Sequence, residues 1–112
     1  MKTLVKIILI AILAFVFTSN NSAFAANSKT ETLKVTGNCD MCKARIEKAA
    51  KIDGVTKAEW SKKDKTLTAT FDPSKTNIDA IGKKIAAAGH DNDKAKATNV
   101  VYEKLPSCCQ YR

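Results

Sequence analysis

Polar and apolar positions follow regular periods along most of the chain. Thr32-Leu33-Lys34-Val35-Thr36 alternates, so it reads as a half-buried strand, which Gly37 and Asn38 end. From Asp40 to Ile52 the period becomes helical. Cys42, Ile46, Ala49 and Ala50 fall on one face, while Lys43, Glu47, Lys48 and Lys51 fall away from it; Asp53-Gly54 closes the helix. Val55 to Trp60 and Thr66 to Phe71 read as a hairpin joined by Ser61-Lys62-Lys63-Asp64-Lys65, with Pro73 at the exit. In its second strand Leu67, Ala69 and Phe71 alternate with Thr66, Thr68 and Thr70. Thr76 is the expected N-cap of a second helix, with Asp79 three residues on. Ile78, Ile81, Ile85 and Ala88 recur at helical spacing, and Gly89 sits where a left-handed residue ends a helix. Asp93 to Ala97 alternates again, predicting a short last strand.

The order is β-α-β-β-α-β. It predicts an α+β fold, a ferredoxin-like sandwich whose four-stranded antiparallel sheet carries two helices on one face. Trp60 is expected to face the core with Ala58.

The ends add two segments. Lys2 and Lys6 precede an unbroken apolar run from Ile7 to Phe17, then a polar stretch and Ala23-Phe24-Ala25. Charged start, apolar middle and small-x-small exit predict a secretory signal peptide over residues 1–25. The run is roughly half the ~20 residues a membrane-crossing helix needs, so no stable span is expected after cleavage. The expected location is the periplasm or the extracellular space. Residues 26–97 form the predicted domain and residues 98–112 a Cys-containing extension.

The chain has 19 basic and 11 acidic residues, and losing Lys2 and Lys6 leaves a net charge of about +6. The lysines are scattered and no aromatic residues interleave with them, so a nucleic-acid platform is not expected. They read as a solvated surface or as a docking face for an acidic partner or anionic lipid.

The chemistry lies in the four cysteines, Cys39, Cys42, Cys108 and Cys109. Cys39-Asp40-Met41-Cys42 places two thiols at a helix start, where both can converge on one soft ion and where negative charge is stabilised. A lone C-x-x-C also fits half a zinc site, a redox dithiol or a disulfide. A four-Cys zinc site wants a second spaced pair, whereas Cys108 and Cys109 are adjacent. A thioredoxin-type dithiol wants a βαβ unit. No carboxylate pair, Ser-His-Asp set or phosphate loop points to catalysis, and the chain is not expected to be an enzyme.

Gly37-Asn38-Cys39-Asp40-Met41-Cys42, Ile46, Gly54-Val55, the Leu67 to Phe71 strand and Ala88-Gly89-His90 together resemble the heavy-metal-associated domain of copper chaperones and metal-transporting ATPases. The resemblance runs from about Thr30 to Ala97. It implies that Cys39 and Cys42 are the metal ligands, with Cu(I) the first cargo and Hg(II) and Zn(II) the alternatives. It further implies a monomer that passes its ion to a metal-transporting or metal-requiring partner protein. A signal peptide on a single domain also resembles periplasmic mercury-binding proteins. The family usually has Met before the first motif Cys, where Asn38 stands here. It often has Tyr, Phe or Lys where His90 stands.

Further candidates are His90, Cys108 and Cys109. The fold places the His90 loop beside the Cys39–Cys42 loop, as an exposed histidine, a third ligand or a donor that tunes the thiolates. Met41 reads as apolar cover, and Tyr102 has no assignable role. For the tail two placements stand open. Thr98 can cap a short helix from Asn99 to Leu105, which Pro106 stops; about seven helical residues return roughly 10 Å from the far end of the last strand. Cys108 and Cys109 then approach Cys39 and Cys42. Otherwise they form a far-end pair, oxidised to each other or to another chain.

Overall fold

The computed structural model describes residues 28–112. The predicted signal peptide lies outside them. Among the described residues no helix is long and apolar enough to cross a membrane.

Strand β1 (Lys29–Lys34) leads through a loop to helix α1 (Asp40–Ala50), and the hairpin β2 (Val55–Ser61) and β3 (Thr66–Phe71) follows. Helix α2 (Ile78–Ala87), a short helix α3 (Asn99–Glu103) and a 3-10 turn at Ser107–Cys109 complete the chain. The sheet is antiparallel in the order β1-β3-β2, with Leu33 opposite Leu67 and Trp60 opposite Leu67 on the other side. Because the strand period is two, Leu33, Trp60, Leu67, Ala69 and Phe71 all point to one face and are buried. There they meet Ile46 and Ala50 of α1 and Ile81 and Ile85 of α2. Each large apolar side chain so buried contributes about 1.5–3 kcal/mol. The opposite face is polar, with the Thr30 and Thr70 hydroxyls 3.0 Å apart.

The expected fourth strand is absent among the described residues; only a single bridge joins Val35 to Asn92. Local polar side chains take the N–H groups a strand would have used. The Asn92 carboxamide oxygen accepts from Lys94 N–H (3.0 Å) and Ala95 N–H (3.2 Å), and an Asp91 carboxylate oxygen accepts from Ala97 N–H (2.7 Å). Lys94-Ala95-Lys96-Ala97 is also poor in β-forming residues and buries little. The chain therefore stays beside the end of β1, where Thr36 N–H donates to Asp91 O at 2.9 Å. A smaller correction concerns α2. Its N-cap is Asn77, whose side-chain oxygen accepts from Ala80 N–H at 2.8 Å, and not Thr76.

Candidate metal centre

Cys39 is the extended N-cap residue of α1, and its carbonyl accepts the helix's first hydrogen bond, from Lys43 N–H at 3.1 Å. Cys42 lies one turn on, on the inward face, and is fully buried. Their sulfurs are 3.2 Å apart. The loop beneath them is tightly packed. A Cβ on Gly37 would sit 3.1 Å from the Trp60 ring and 3.2 Å from Cys42 Cβ, so a larger residue would crowd the loop against the ring. Trp60 is buried as expected, and its indole N–H donates to Val35 O at 3.1 Å. Lys65, with φ 58°, donates its ammonium to Gly37 O from the hairpin turn. Helix α1 is tied to β2 by Lys43, which donates to Trp60 O at 2.7 Å and pairs with Glu47 at 2.9 Å.

The tail brings two more sulfurs to this point. Cys108 Sγ is 3.2 Å and Cys109 Sγ 3.5 Å from Cys39 Sγ, and the tail pair are 3.9 Å apart. Of the two placements open from sequence, the tail takes the one beside Cys39. It reaches the site because the chain never travels to the far end of a fourth strand; the short helix capped by Thr98 starts from the near end. The Thr98 hydroxyl accepts from Val101 N–H at 3.4 Å. Leu105 is buried against Gly89, whose φ of 110° no L side chain favours. The Tyr111 hydroxyl accepts from Asp91 N–H and donates to Gly89 O, both at 2.7 Å. The Arg112 guanidinium reaches both Asp91 carboxylate oxygens (2.9 and 3.2 Å), Ala97 O (2.8 Å) and Asn99 Oδ1 (3.0 Å). Tyr102, without a role in the sequence reading, packs edge-on against Tyr111, and its hydroxyl accepts from Arg112 N–H at 2.7 Å.

Charge within the cluster settles on Cys39. Its hydrogen bond with Cys108 brings its thiol down to about 6, against a smaller opposing effect of burial, with Cys42 and Cys109 adding to the fall. Cys108 is raised in turn, chiefly by that same bond. Cys109 is raised by burial first and by its bonds to Cys42 and Cys39. One thiolate shared among neighbouring thiols is a soft, anionic, multidentate environment.

Cys39, Cys108 and Cys109 have ligand atoms within 4.8 Å of one another, and Cys42 adjoins Cys39. His90 stands apart from that trio. It is buried, its Nδ1 shares a 2.8 Å hydrogen bond with Thr36 O, and its ring stacks on Tyr111 with centroids 5.7 Å apart. It joins the loop before Cys39 to the tail. Met41, expected as cover, is 53% exposed. Sequence reasoning missed Asp91, Tyr111 and Arg112. None belongs to a periodic segment; the one signal was Tyr111 and Arg112 lying beyond the last strand the fold required, and Asp91, in the loop before that strand, carried none.

Known proteins share this fold. The model of the heavy-metal-associated domain matches residues 32–91, which include Cys39 and Cys42 and leave residues 92–112 beyond the match. The mercuric transport protein periplasmic component of Shewanella putrefaciens is 44% identical over 78 residues, covering 68% of this chain and 84% of its own. Among solved structures, oxidised MerP from Ralstonia metallidurans CH34 has a TM-score of 0.56 at 32% identity, over 59% of this chain and 94% of that one. The CopZ metallochaperone has a TM-score of 0.55, also at 32% identity, over 57% of this chain and 98% of that one.

Proposed function

We propose that this chain, which belongs to the heavy-metal-associated domain family, is a non-catalytic carrier that binds one soft metal ion through Cys39 and Cys42 and hands it to a partner protein outside the cytoplasm. The observation that carries the reading is the pair of sulfurs 3.2 Å apart at the start of α1, one partly exposed and one buried. An incoming thiolate reaches the ion from the Cys39 side while Cys42 still holds it. Transfer then proceeds by ligand exchange without a free ion. Cu(I) is the first cargo, since thiolates select soft ions and Cu(I) accepts low coordination numbers. Hg(II) is the second reading, favoured by the 44% identity to a mercuric transport protein periplasmic component. That relative and the charged-apolar-small pattern of residues 1–25 also support export. The expected partner is a metal-transporting protein with thiolates of its own.

The test is anaerobic titration of the reduced protein with Cu(I), Hg(II) and Zn(II) against competing chelators. We expect one Cu(I) or Hg(II) per chain. Cys39→Ser or Cys42→Ser should weaken binding by more than the ~10–100-fold typical of losing an outer-shell partner. Wild-type affinity in either variant would overturn the assignment. Turnover in a disulfide-reductase assay would favour a redox protein instead.

A further inference from the structure

We propose that the C-terminal segment completes the metal centre, with Cys108 and Cys109 joining Cys39 in a three-thiolate site that a two-cysteine motif alone does not provide. The inference rests on the carrier reading of Cys39 and adds ligands from residues beyond the family match.

The first argument is size. The three sulfurs form a triangle with edges of 3.2, 3.5 and 3.9 Å. With metal–sulfur bonds of about 2.3 Å, three thiolates around an ion in their plane lie about 4.0 Å apart, and a linear two-thiolate site holds its sulfurs about 4.6 Å apart. The triangle is nearer the first figure than the second, so these side chains suit an ion bound by three sulfurs rather than two. Cys42, 3.2 Å from Cys39, is placed to exchange with a member of the trio.

The second argument is that the tail is built to stay. Leu105 is seated on Gly89 before the pair, and Tyr111 and Arg112 grip Gly89, Asp91 and Ala97 after it. The Gln110 side chain bonds Leu105 O at 3.2 Å, and Asn38 donates to Gln110 O at 3.4 Å. Asn38 is the residue standing where the family's usual Met would be, and here it contacts the tail. Ordering some fifteen residues costs about 1–2 kcal/mol of backbone entropy each. Contacts on both sides of Cys108-Cys109 offset that cost, so the sulfurs are delivered to Cys39 by design of the segment.

The third argument is access. Cys108 is exposed and Cys109 buried, matching the partly exposed Cys39 and the buried Cys42. An ion in the trio meets solvent along the Cys39–Cys108 edge. Cys108 then occupies the position an incoming partner thiolate would take, so release to a partner requires Cys108 to leave first.

X-ray absorption on the Cu(I)-loaded reduced protein counts the sulfur neighbours, and chelator competition gives the affinity. We expect three sulfurs in the wild type. Cys108→Ser with Cys109→Ser, which leaves Cys39 and Cys42 as the sulfurs of the site, should give two sulfurs and roughly ten- to hundredfold weaker binding. It should also speed Cu(I) transfer to a dithiol acceptor. Arg112→Ala, away from the sulfurs, should shift both readings in the same direction. Two sulfurs in the wild type, or three that persist when both Cys108 and Cys109 are replaced by Ser, would overturn the proposal. If Cys39→Ser and Cys42→Ser abolish binding while replacing both Cys108 and Cys109 by Ser changes nothing, this inference fails and the carrier reading stands. If the wild type binds neither Cu(I) nor Hg(II), both fail.

Discussion

The two halves of the thiol cluster are held by different physics. Cys39 and Cys42 are placed by backbone: a strand end, a glycine pressed on Trp60 and the first turn of a helix. Cys108 and Cys109 sit on a three-residue 3-10 turn, and side chains place them: Leu105 in a socket at Gly89, the Tyr111 hydroxyl and the Arg112–Asp91 pair. A backbone-built site resists single substitutions away from the sulfurs because hydrogen bonds and core packing are distributed. A side-chain lock concentrates its energy in a few contacts, so single changes should open it. The tail is therefore the half that can detach while the other half keeps its shape.

The largest expected effect separates the two at their hinge. Gly89 has φ 110°, and a Cβ there would come within 2.7 Å of Leu105. Gly89→Ala must strain the backbone, at about 1–3 kcal/mol, or shift Leu105 from its seat. We expect a loss of roughly 2 kcal/mol in chemical denaturation, within that range. Cys109, buried in the native protein, should become open to alkylation. Far-UV circular dichroism should keep the α1 signal. Loss of all helical signal would show that the halves are one cooperative unit, and the contrast would break.

A smaller effect is expected at the Arg112–Asp91 pair. Burial works against the Asp91 carboxylate, yet Arg112 and the Ala97 N–H together hold it below the usual carboxylate range. Its unfolded form takes up protons first on acidification. The pair's stabilisation is therefore complete above about pH 4 and is lost as pH falls through the lower folded value. The Arg112 and Asp91 side chains are 31% and 21% exposed, so solvent screening keeps the pair's contribution small. A double-mutant cycle of Arg112→Ala and Asp91→Asn at pH 7 measures it. A coupling near zero would leave the tail held by Leu105 and Tyr111 alone.

The same contrast explains what could be read from the sequence. The hairpin and both main helices were legible because each buries a periodic face, and the motif was legible because its two cysteines sit on one helix start. The last strand misled, since Lys94-Ala95-Lys96-Ala97 has the strand period but too little apolar surface to enforce it. Asp91 and Asn92 then captured the N–H groups. The cap of α2 fell one residue from its expected place, because Thr76 and Asn77 are both competent caps and only Asn77 is free of the core. The lock of Asp91, Tyr111 and Arg112 joins residues about twenty apart with no period to reveal it. The arrival of Cys108 and Cys109 at Cys39 was one of two open placements. What decided it was the missing strand, not the length of the returning helix.

The smallest expected effect concerns His90, which touches both halves. Nδ1 donates to Thr36 O at 2.8 Å, so the neutral ring carries its proton there, and Nε2 is buried with no partner among the described residues. Protonating Nε2 places a charge where nothing accepts its hydrogen. Burial accordingly lowers the His90 pKa from its ordinary value; the nearby Arg45 charge adds to this, while the Thr36 carbonyl and Asp91 oppose it. A depressed histidine means that the unfolded chain takes the proton first. The His90 contribution is therefore constant above about pH 6.5 and declines as pH falls below it, by at most ~1.4 kcal/mol per pH unit for one proton, until the folded-state value is passed. This window lies above the one set by Asp91, so the two are separable. His90→Gln keeps a donor for Thr36 but cannot titrate. Denaturation midpoints of the reduced proteins between pH 7.5 and 5 should fall in both, because the Cys39 thiol titrates at about 6 in both, and should fall more steeply in the wild type than in His90→Gln. Equal slopes in both would place the titration elsewhere. If only the wild type's slope is accompanied by faster alkylation of Cys109, His90 couples acid to the tail, and the seam between the halves is where the imidazole sits.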